Sequence, residues 1–337
     1  MTNRFIESSF CKEDTAYEVP LRPEHLNDFI GQEAIREQLE VLIGACKKRG
    51  EVLGHCLFSG PPGLGKTTLS NIIAKAMGGA ITVTSGPVIE RAGDLAGVLT
   101  NLKQGDVLFI DEIHRLNRTV EEYLYPAMED FQLDLLVDSG SSARSVKVKL
   151  NQFTLVGATT RLGLISAPLR SRFSYAGRLD YYTPEVLVQI LSRSASIIQM
   201  QLTEEALFEI ACRSRGTPRI ANNLLRWVRD FALMRTTSSE AISKETAKSA
   251  LHMLSIDDKG LDEMDLKFLK TLIQKFAGGP AGLQTLAYAV GEEMHTLEEV
   301  HEPFLIMQGL LKRTPRGRIA TPLAFQHLGI TMESTTI

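Results

Sequence analysis

The stretch Gly60-Pro61-Pro62-Gly63-Leu64-Gly65-Lys66-Thr67-Thr68 fits the pattern G-x-x-x-x-G-K-[ST], and its reading decides the fold. Glycines at these positions let backbone N–H groups converge on phosphate oxygens. Lys66 reaches the β and γ phosphates, and the Thr67 hydroxyl ligates Mg²⁺. Gly63, Gly65, Lys66, Thr67 and Thr68 are therefore the nucleotide-binding candidates of the loop. The flanks agree: His55 to Ser59 reads as a short apolar strand, and Thr67 to Met77 as a helix with Leu69, Ile72, Ile73 and Ala76 on one side.

About 45 residues beyond Lys66, Val107 to Ile110 is a continuous apolar run that ends in Asp111-Glu112. Such a run suits a strand buried on both faces of a parallel sheet, and ligands of open α/β sheets sit at the C-terminal strand ends. Asp111 is placed to hold Mg²⁺ and Glu112 to polarise the attacking water. Asp111-Glu-Ile-His114 has the form of the Walker B motif of AAA+ ATPases; His114 reads as a structural or coupling residue rather than a metal ligand.

Between the motifs, Ala80 to Thr84 reads as a strand and Arg91 to Leu102 as a helix. After them come a helix over Arg118 to Phe131 and two β-favouring segments, Leu133 to Val137 and Val146 to Leu150, around a Gly/Ser loop, which make a hairpin. The apolar strand Phe153 to Ala158 ends in Thr159-Thr160-Arg161, where a hydroxyl can sense the γ phosphate. Arg170 and Arg172 share a short turn. Arginine carries a fixed planar charge, and if neither finds an acidic partner in its own subunit, the nucleotide of a neighbour is a target. Arg178 to Tyr182 reads as a fifth strand.

Thr183 to Leu254 is helical in character, and Gly216-Thr-Pro-Arg219 opens a helix beside whose N-terminus Arg219 can reach a phosphate. Residues 255–332 contain three short helical segments, then Leu310 to Thr314 and Arg318 to Thr321 around the turn Pro315-Arg316-Gly317. That order suggests a winged helix. Pro303 to Ile330 holds no Asp or Glu, while Lys312, Arg313, Arg316 and Arg318 fall within seven positions. These arginines would meet DNA phosphates.

The 337-residue chain is 44% hydrophobic and 23% charged, ordinary for globular protein, and its net charge of −3 does not announce a nucleic-acid binder overall. Four cysteines without a C-x-x-C pair make a zinc site an unattractive reading and isolated reduced thiols the expected one, which points to the cytosol. No segment reaches 18 consecutive apolar residues, so neither export nor membrane spanning is expected.

Taken together, Gly60 to Thr68, Asp111 to Leu116, Tyr125-Pro-Ala-Met-Glu-Asp130, Gly157 to Arg161, Gly216 to Asn222 and Arg313-Thr-Pro-Arg-Gly-Arg318 closely resemble the RuvB family of bacterial Holliday-junction branch-migration motors. The resemblance covers nearly all of Leu21 to Gly329. It implies an α/β AAA+ parallel-sheet ATPase domain over 21–182, a small helical lid over 183–254 and a C-terminal winged helix over 255–332, between an arm at 1–20 and a tail at 333–337. It further implies a cytoplasmic homohexamer that hydrolyses ATP to ADP with Mg²⁺ around duplex DNA arms. The resemblance implies as well that RuvA docks on hairpin 133–150, that RuvC joins the resolving complex, and that the setting is recombination, DNA repair and the SOS response.

By the same resemblance Arg172 is a finger acting across subunits, Thr159 or Thr160 is sensor 1, and Arg219 is sensor 2. Leu21, Arg22, Tyr182 and Glu129, Asp130 and Phe131 lie near nucleotide, and Arg313 and Arg318 contact DNA from the wing. Met294 stands where relatives often carry a basic residue, which puts one DNA contact in doubt. Ser174 stands where glycine is usual, which is expected to alter the turn slightly. A clamp-loader-like or protein-remodelling ATPase shares the ATP site but needs no basic wing. A nucleotide-gated DNA-binding regulator needs neither Glu112 nor a finger.

Overall fold

The computed structural model describes residues 19–137, 144–235 and 241–331, with backbone only at 135–137 and 144–145. Most of the expected arm, the tail at 333–337 and the hairpin tip at 138–143 lie outside the described residues. The chain divides into two compact units, within which the described residues run over 19–182 and 183–331.

In the first unit, β1 (Cys56–Ser59), β2 (Ile81–Ser85), β3 (Val107–Asp111), β6 (Thr154–Thr159) and β7 (Tyr175–Arg178) form one parallel sheet in the order β2-β3-β6-β1-β7. Helices α1 (Glu33–Arg49), α2 (Lys66–Met77), α3 (Ala92–Thr100), α4 (Arg118–Glu129) and α5 (Ala167–Arg170) complete it. β1, β6 and most of β3 are buried, as their unbroken apolar runs require. Leu57, Leu108, Ile110 and Leu155 pack with Leu95, Leu124 and Phe153 in one cluster.

Two adjacent hydrogen-bonded registers, Ser59 with Thr159 and Ile110 with Gly157, bring the C-terminal ends of β1, β6 and β3 to the same sheet edge. The expected fifth strand at Arg178 to Tyr182 is corrected. The ladder pairs Cys56 with Tyr175 and Ser59 with Arg178, and the Leu179 N–H then closes it on the Ser59 carbonyl. Leu179 and Tyr182 are buried because they pack as the chain leaves the sheet, which mimics a strand pattern.

β4 (Gln132–Val137) and β5 (Arg144–Lys149) form the expected antiparallel hairpin, in a register that pairs Leu133 with Val148. Leu133 is buried while Val146 is 46% exposed. The hairpin thus offers an apolar side chain to solvent.

The second unit begins with α6 (Pro184–Ile197), α7 (Glu204–Arg213), α8 (Pro218–Arg235) and α9 (Lys244–Met253), whose inner faces bury Leu187, Leu191, Ile210, Leu224 and Leu251. Next come α10 (Glu263–Phe276), α11 (Leu283–Val290), a helical stretch made of α12 (Met294–Thr296), a π turn (Leu297–His301) and α13 (Glu302–Met307), and the two-stranded wing β8 (Leu311–Thr314) and β9 (Gly317–Ala320). Phe268, Leu272, Leu286, Leu305 and Leu311 build the core of this three-helix-plus-wing arrangement. A last helix, α14 (Pro322–His327), follows the wing. No described helix is long and apolar enough to cross a membrane.

Buried polar groups at the N-terminal edge of the sheet fix the strand starts. The His55 ring is tilted against Phe131 and Phe153; its Nδ1 accepts the Leu155 N–H at 2.9 Å, so Nε2 carries the proton and donates to the Met128 carbonyl at 3.0 Å. Burial lowers the His55 pKa, partly offset by the Met128 bond. Close by, burial pushes the Cys56 thiol up to about 12, so it is an inert packing group.

A histidine kept neutral in the fold binds a proton more readily once unfolded. Its contribution to stability is complete above the unfolded value of about 6.5 and declines as pH falls towards the lower folded value. The urea midpoint should therefore drop between pH 7.5 and 5.5, and His55→Gln should flatten that slope. An unchanged slope would remove His55 from the account.

Candidate nucleotide site and basic wing

Backbone geometry makes the phosphate loop. Gly60, Gly63 and Gly65 all have positive φ (138°, 78° and 108°); Gly60 is also packed too closely for a side chain, and Gly65 is tightly approached. A Cβ on Gly60 would lie 2.3 Å from the Leu179 carbonyl oxygen, and one on Gly65 3.0 Å from the Phe29 ring. The Tyr182 hydroxyl donates to the Leu64 carbonyl at 3.0 Å, and burial raises its pKa, so it stays a donor. This tie supports the loop from beneath.

Lys66 opens α2 and is buried, with Nζ donating to the carbonyls of Gly60 at 2.7 Å and Pro61 at 2.8 Å. The ammonium is folded over its own loop. Thr67 and Thr68 follow on the first turn, half-exposed, at a helix N-terminus that favours anions. Leu21 is buried and Arg22 half-buried in the same unit.

At the end of β3, Asp111 Oδ1 accepts the Glu112 N–H at 2.9 Å. Glu112 itself adopts φ of 46°, a left-handed conformation uncommon for a residue with a side chain and typical of strained functional positions. Its Oε2 accepts the Thr160 hydroxyl at 3.1 Å and lies 3.2 Å from His114 Nδ1. The same His114 nitrogen is 2.9 Å from Thr159 Oγ1, which accepts the Arg161 N–H. Sequence left Thr159 and Thr160 as equivalent alternatives; geometry separates them. Thr160 touches the carboxylate, and Thr159 touches it only through His114. A hard carboxylate at Asp111 and a hydroxyl at Thr67, both partly accessible, are donors of the kind Mg²⁺ takes. The ion would screen phosphate charge there.

Arg172 lies at the opposite edge of the sheet. It precedes β7, whose first residue pairs with the first residue of β1, whereas the phosphate loop follows the last. Four strand residues at about 3.3 Å each separate the two edges. The condition attached to Arg172, that it find no acidic partner in its own subunit, is not met. Its guanidinium stacks 4.2 Å over the Tyr125 ring, lies 3.2 Å from Glu129 Oε1 and donates to the Pro168 carbonyl at 2.7 Å.

The cluster 129–131 is split as well. Glu129 serves Arg172, and Phe131 packs with His55 and Phe153 at that same N-terminal edge, away from the phosphate loop of its own chain, while Asp130 ends α4 and is exposed. Tyr125 was invisible as a site residue in the sequence. Its spacing of four from Glu129 on α4 was the available signal.

In the second unit, Arg219 is half-buried at the second position of α8. On the wing, Arg316 is exposed at the turn and Arg313 is 58% exposed, 3.5 Å from Glu298. Arg318 is engaged within its own chain. Its side chain is only 12% exposed and is bound to the buried Glu302, with Nη2 at 2.8 Å and Nε at 3.2 Å from the carboxylate. It braces the wing. Met294 is 47% exposed and brings no charge.

A parallel sheet carrying a phosphate loop, an acidic pair and threonines on one edge, with an arginine on the other, defines a P-loop ATPase of the AAA+ class. Three family models match in sequence: the Holliday junction DNA helicase RuvB P-loop domain over residues 21–179, the RuvB AAA lid domain over 182–257 and the RuvB C-terminal winged helix domain over 258–329. The chain belongs to the RuvB family.

Among similar proteins, the Holliday junction branch migration complex subunit RuvB of Protochlamydia amoebophila is 63% identical over 328 residues, 97% of this chain and 98% of that one. The Chlamydia trachomatis subunit is 54% identical over 320 residues, 95% of each. The solved structure of the Thermotoga maritima RuvB Holliday junction branch migration motor is 49% identical, with a TM-score of 0.84 over 93% of this chain and 100% of that one.

Lys66→Ala is expected to abolish ATP turnover. Glu112→Gln should still bind a fluorescent ATP analogue while hydrolysis, read as phosphate release, falls by about 10²-fold or more. Undiminished hydrolysis in either variant would displace the site.

Proposed function

We propose that this protein is the ATP-hydrolysing motor that drives branch migration of Holliday junctions. The observation that carries this reading is one chain that joins an ATP site with a polarising glutamate to a wing presenting Arg313 and Arg316. The wing cations meet phosphates, which position a duplex without reading its sequence. Hydrolysis then changes which subunits hold the duplex. A clamp-loader-like or protein-remodelling ATPase would leave this wing without a role.

Several further elements belong to the proposal. The subunits form a homohexamer in the cytoplasm, and Arg172 stabilises the charge that develops on a neighbour's nucleotide. Its place on the sheet edge away from its own phosphate loop supports action between subunits. Thr159 and Thr160 sense the γ phosphate, Arg219 reports nucleotide state to the second unit, and Leu21, Arg22 and Tyr182 frame the nucleotide. RuvA docks on the β4–β5 hairpin, for which the solvent-exposed Val146 is suited, and RuvC joins for resolution. The domain limits 21–182, 183–254 and 255–332 are the working units.

The test is dissociation of a labelled synthetic four-way junction with ATP, Mg²⁺ and cognate RuvA. Duplex products should require ATP and disappear in Arg172→Ala. ATP hydrolysis without junction movement would shift the reading to a remodelling ATPase. Arg316→Ala should weaken DNA binding, with the slope of log affinity against log salt reduced by about 0.9 for one lost phosphate contact.

A further inference from the structure

In the second unit a buried chain of charges runs from the start of α8 to the wing. Arg215 sits three residues before Pro218, the first residue of α8, at φ of 53° and with its side chain only 4% exposed. Its Nη2 lies 2.6 Å from Asp265 Oδ2 and 3.4 Å from Asp262 Oδ2, its Nε donates to the Gly260 carbonyl at 3.0 Å, and its guanidinium lies 4.6 Å from the Phe304 ring centre.

Asp262 and Asp265 are the capping box of α10, so Arg215 grips the first helix of the winged fold at its head. The other oxygen of Asp265 accepts from His301 Nδ1 at 2.7 Å, where the π turn ends. The next residue in the chain is Glu302, whose carboxylate binds Arg318 of β9 at 2.8 Å and lies 4.0 Å from Arg313 of β8. Asp262, Asp265 and His301 have the spacing of a metal site. Arg215 supplies the cation instead.

Beside this path, Arg213 is tied to Glu209 of α7, to Asp258 and to the Ile256 carbonyl. The linker between the helical segment and the winged fold is held against α7. A Cβ on Gly260 would lie 2.9 Å from the Arg213 carbonyl oxygen. Arg215 and His301 hold the Asp265 pKa low against its burial, whereas burial and the neighbouring Asp265 raise that of Asp262. Asp265 is the carboxylate that Arg215 and His301 favour in its charged form.

We propose that Arg215 is a positioning residue that makes the helix carrying Arg219 and the DNA-facing wing move as one body, through Asp265, His301 and Glu302. The inference rests on the branch-migration reading above. A buried pair gives rigidity and register because its geometry cannot slip without exposing an unpaired charge. Hydrolysis in the first unit then becomes a displacement of the wing rather than a bend in the linker.

The test measures ATP hydrolysed per junction dissociated, with the full chain and cognate RuvA. The variants are Arg215→Met combined with Asp265→Asn, which removes both charges together, and His301→Gln, which leaves the ion pair in place. Folding is checked by thermal denaturation. Basal ATP turnover should stay within about twofold of wild type, while ATP consumed per junction should rise about tenfold in the double variant and by less in His301→Gln. An unchanged ratio in folded variants would overturn the proposal and leave a purely structural pair. A parallel fall in turnover and junction movement would also overturn it, by placing Arg215 in the ATP site. Wild-type protein that moves no junction would instead defeat the branch-migration reading itself.

Discussion

The parallel register that sets Ser59 beside Thr159 and Ile110 beside Gly157 is the constraint on which the rest of the first unit depends. Three strands ending level give a line of polar residues where the apolar runs stop, and the loop after β1 adds backbone donors to that line. A shift of one residue would exchange the faces of every strand side chain. It would also move Asp111 away from the loop. The same register fixes the other edge, where β1 and β7 start together and Arg172 rests on Tyr125 and Glu129. One sheet thus presents a phosphate-binding edge and an arginine-bearing edge.

Buried charge is handled in two ways. Lys66 donates to the carbonyls of Gly60 and Pro61, contacts that an arriving phosphate group can replace. Arg215 is matched to carboxylates at the head of α10 and lies over the Phe304 ring. The first arrangement favours exchange of partners during a reaction cycle. The second favours permanence, since separating the pair would leave ions in a medium that solvates them poorly.

The phosphate loop, the acidic strand end, the hairpin and the wing were all legible because their chemistry is written in contiguous residues. Sequence patterns fail where a residue is explained by a distant one. Leu179 and Tyr182 read as strand because they are buried, but their partners are Ser59 and Leu64, more than a hundred positions away. Arg318 looked like a free cation beside Arg313 and Arg316; only the fold brings Glu302 under it. Phe131 stands two positions from Glu129 in sequence, yet its ring belongs to an aromatic group around His55. The Arg215 joint needed contacts across about 50 and 36 positions, to Asp265 and from there to His301.

Ser174, the departure from the usual glycine, is accommodated by a second glycine. Its hydroxyl donates to the His55 carbonyl at 2.9 Å and lies 2.2 Å from where a Cβ on Gly54 would sit. The two positions are therefore coupled: alanine at 54 would require the Ser174 hydroxyl to turn to another rotamer and give up its bond to the His55 carbonyl. A methyl group at one corner of the sheet would thus be felt as a lost hydrogen bond at the entrance to β1.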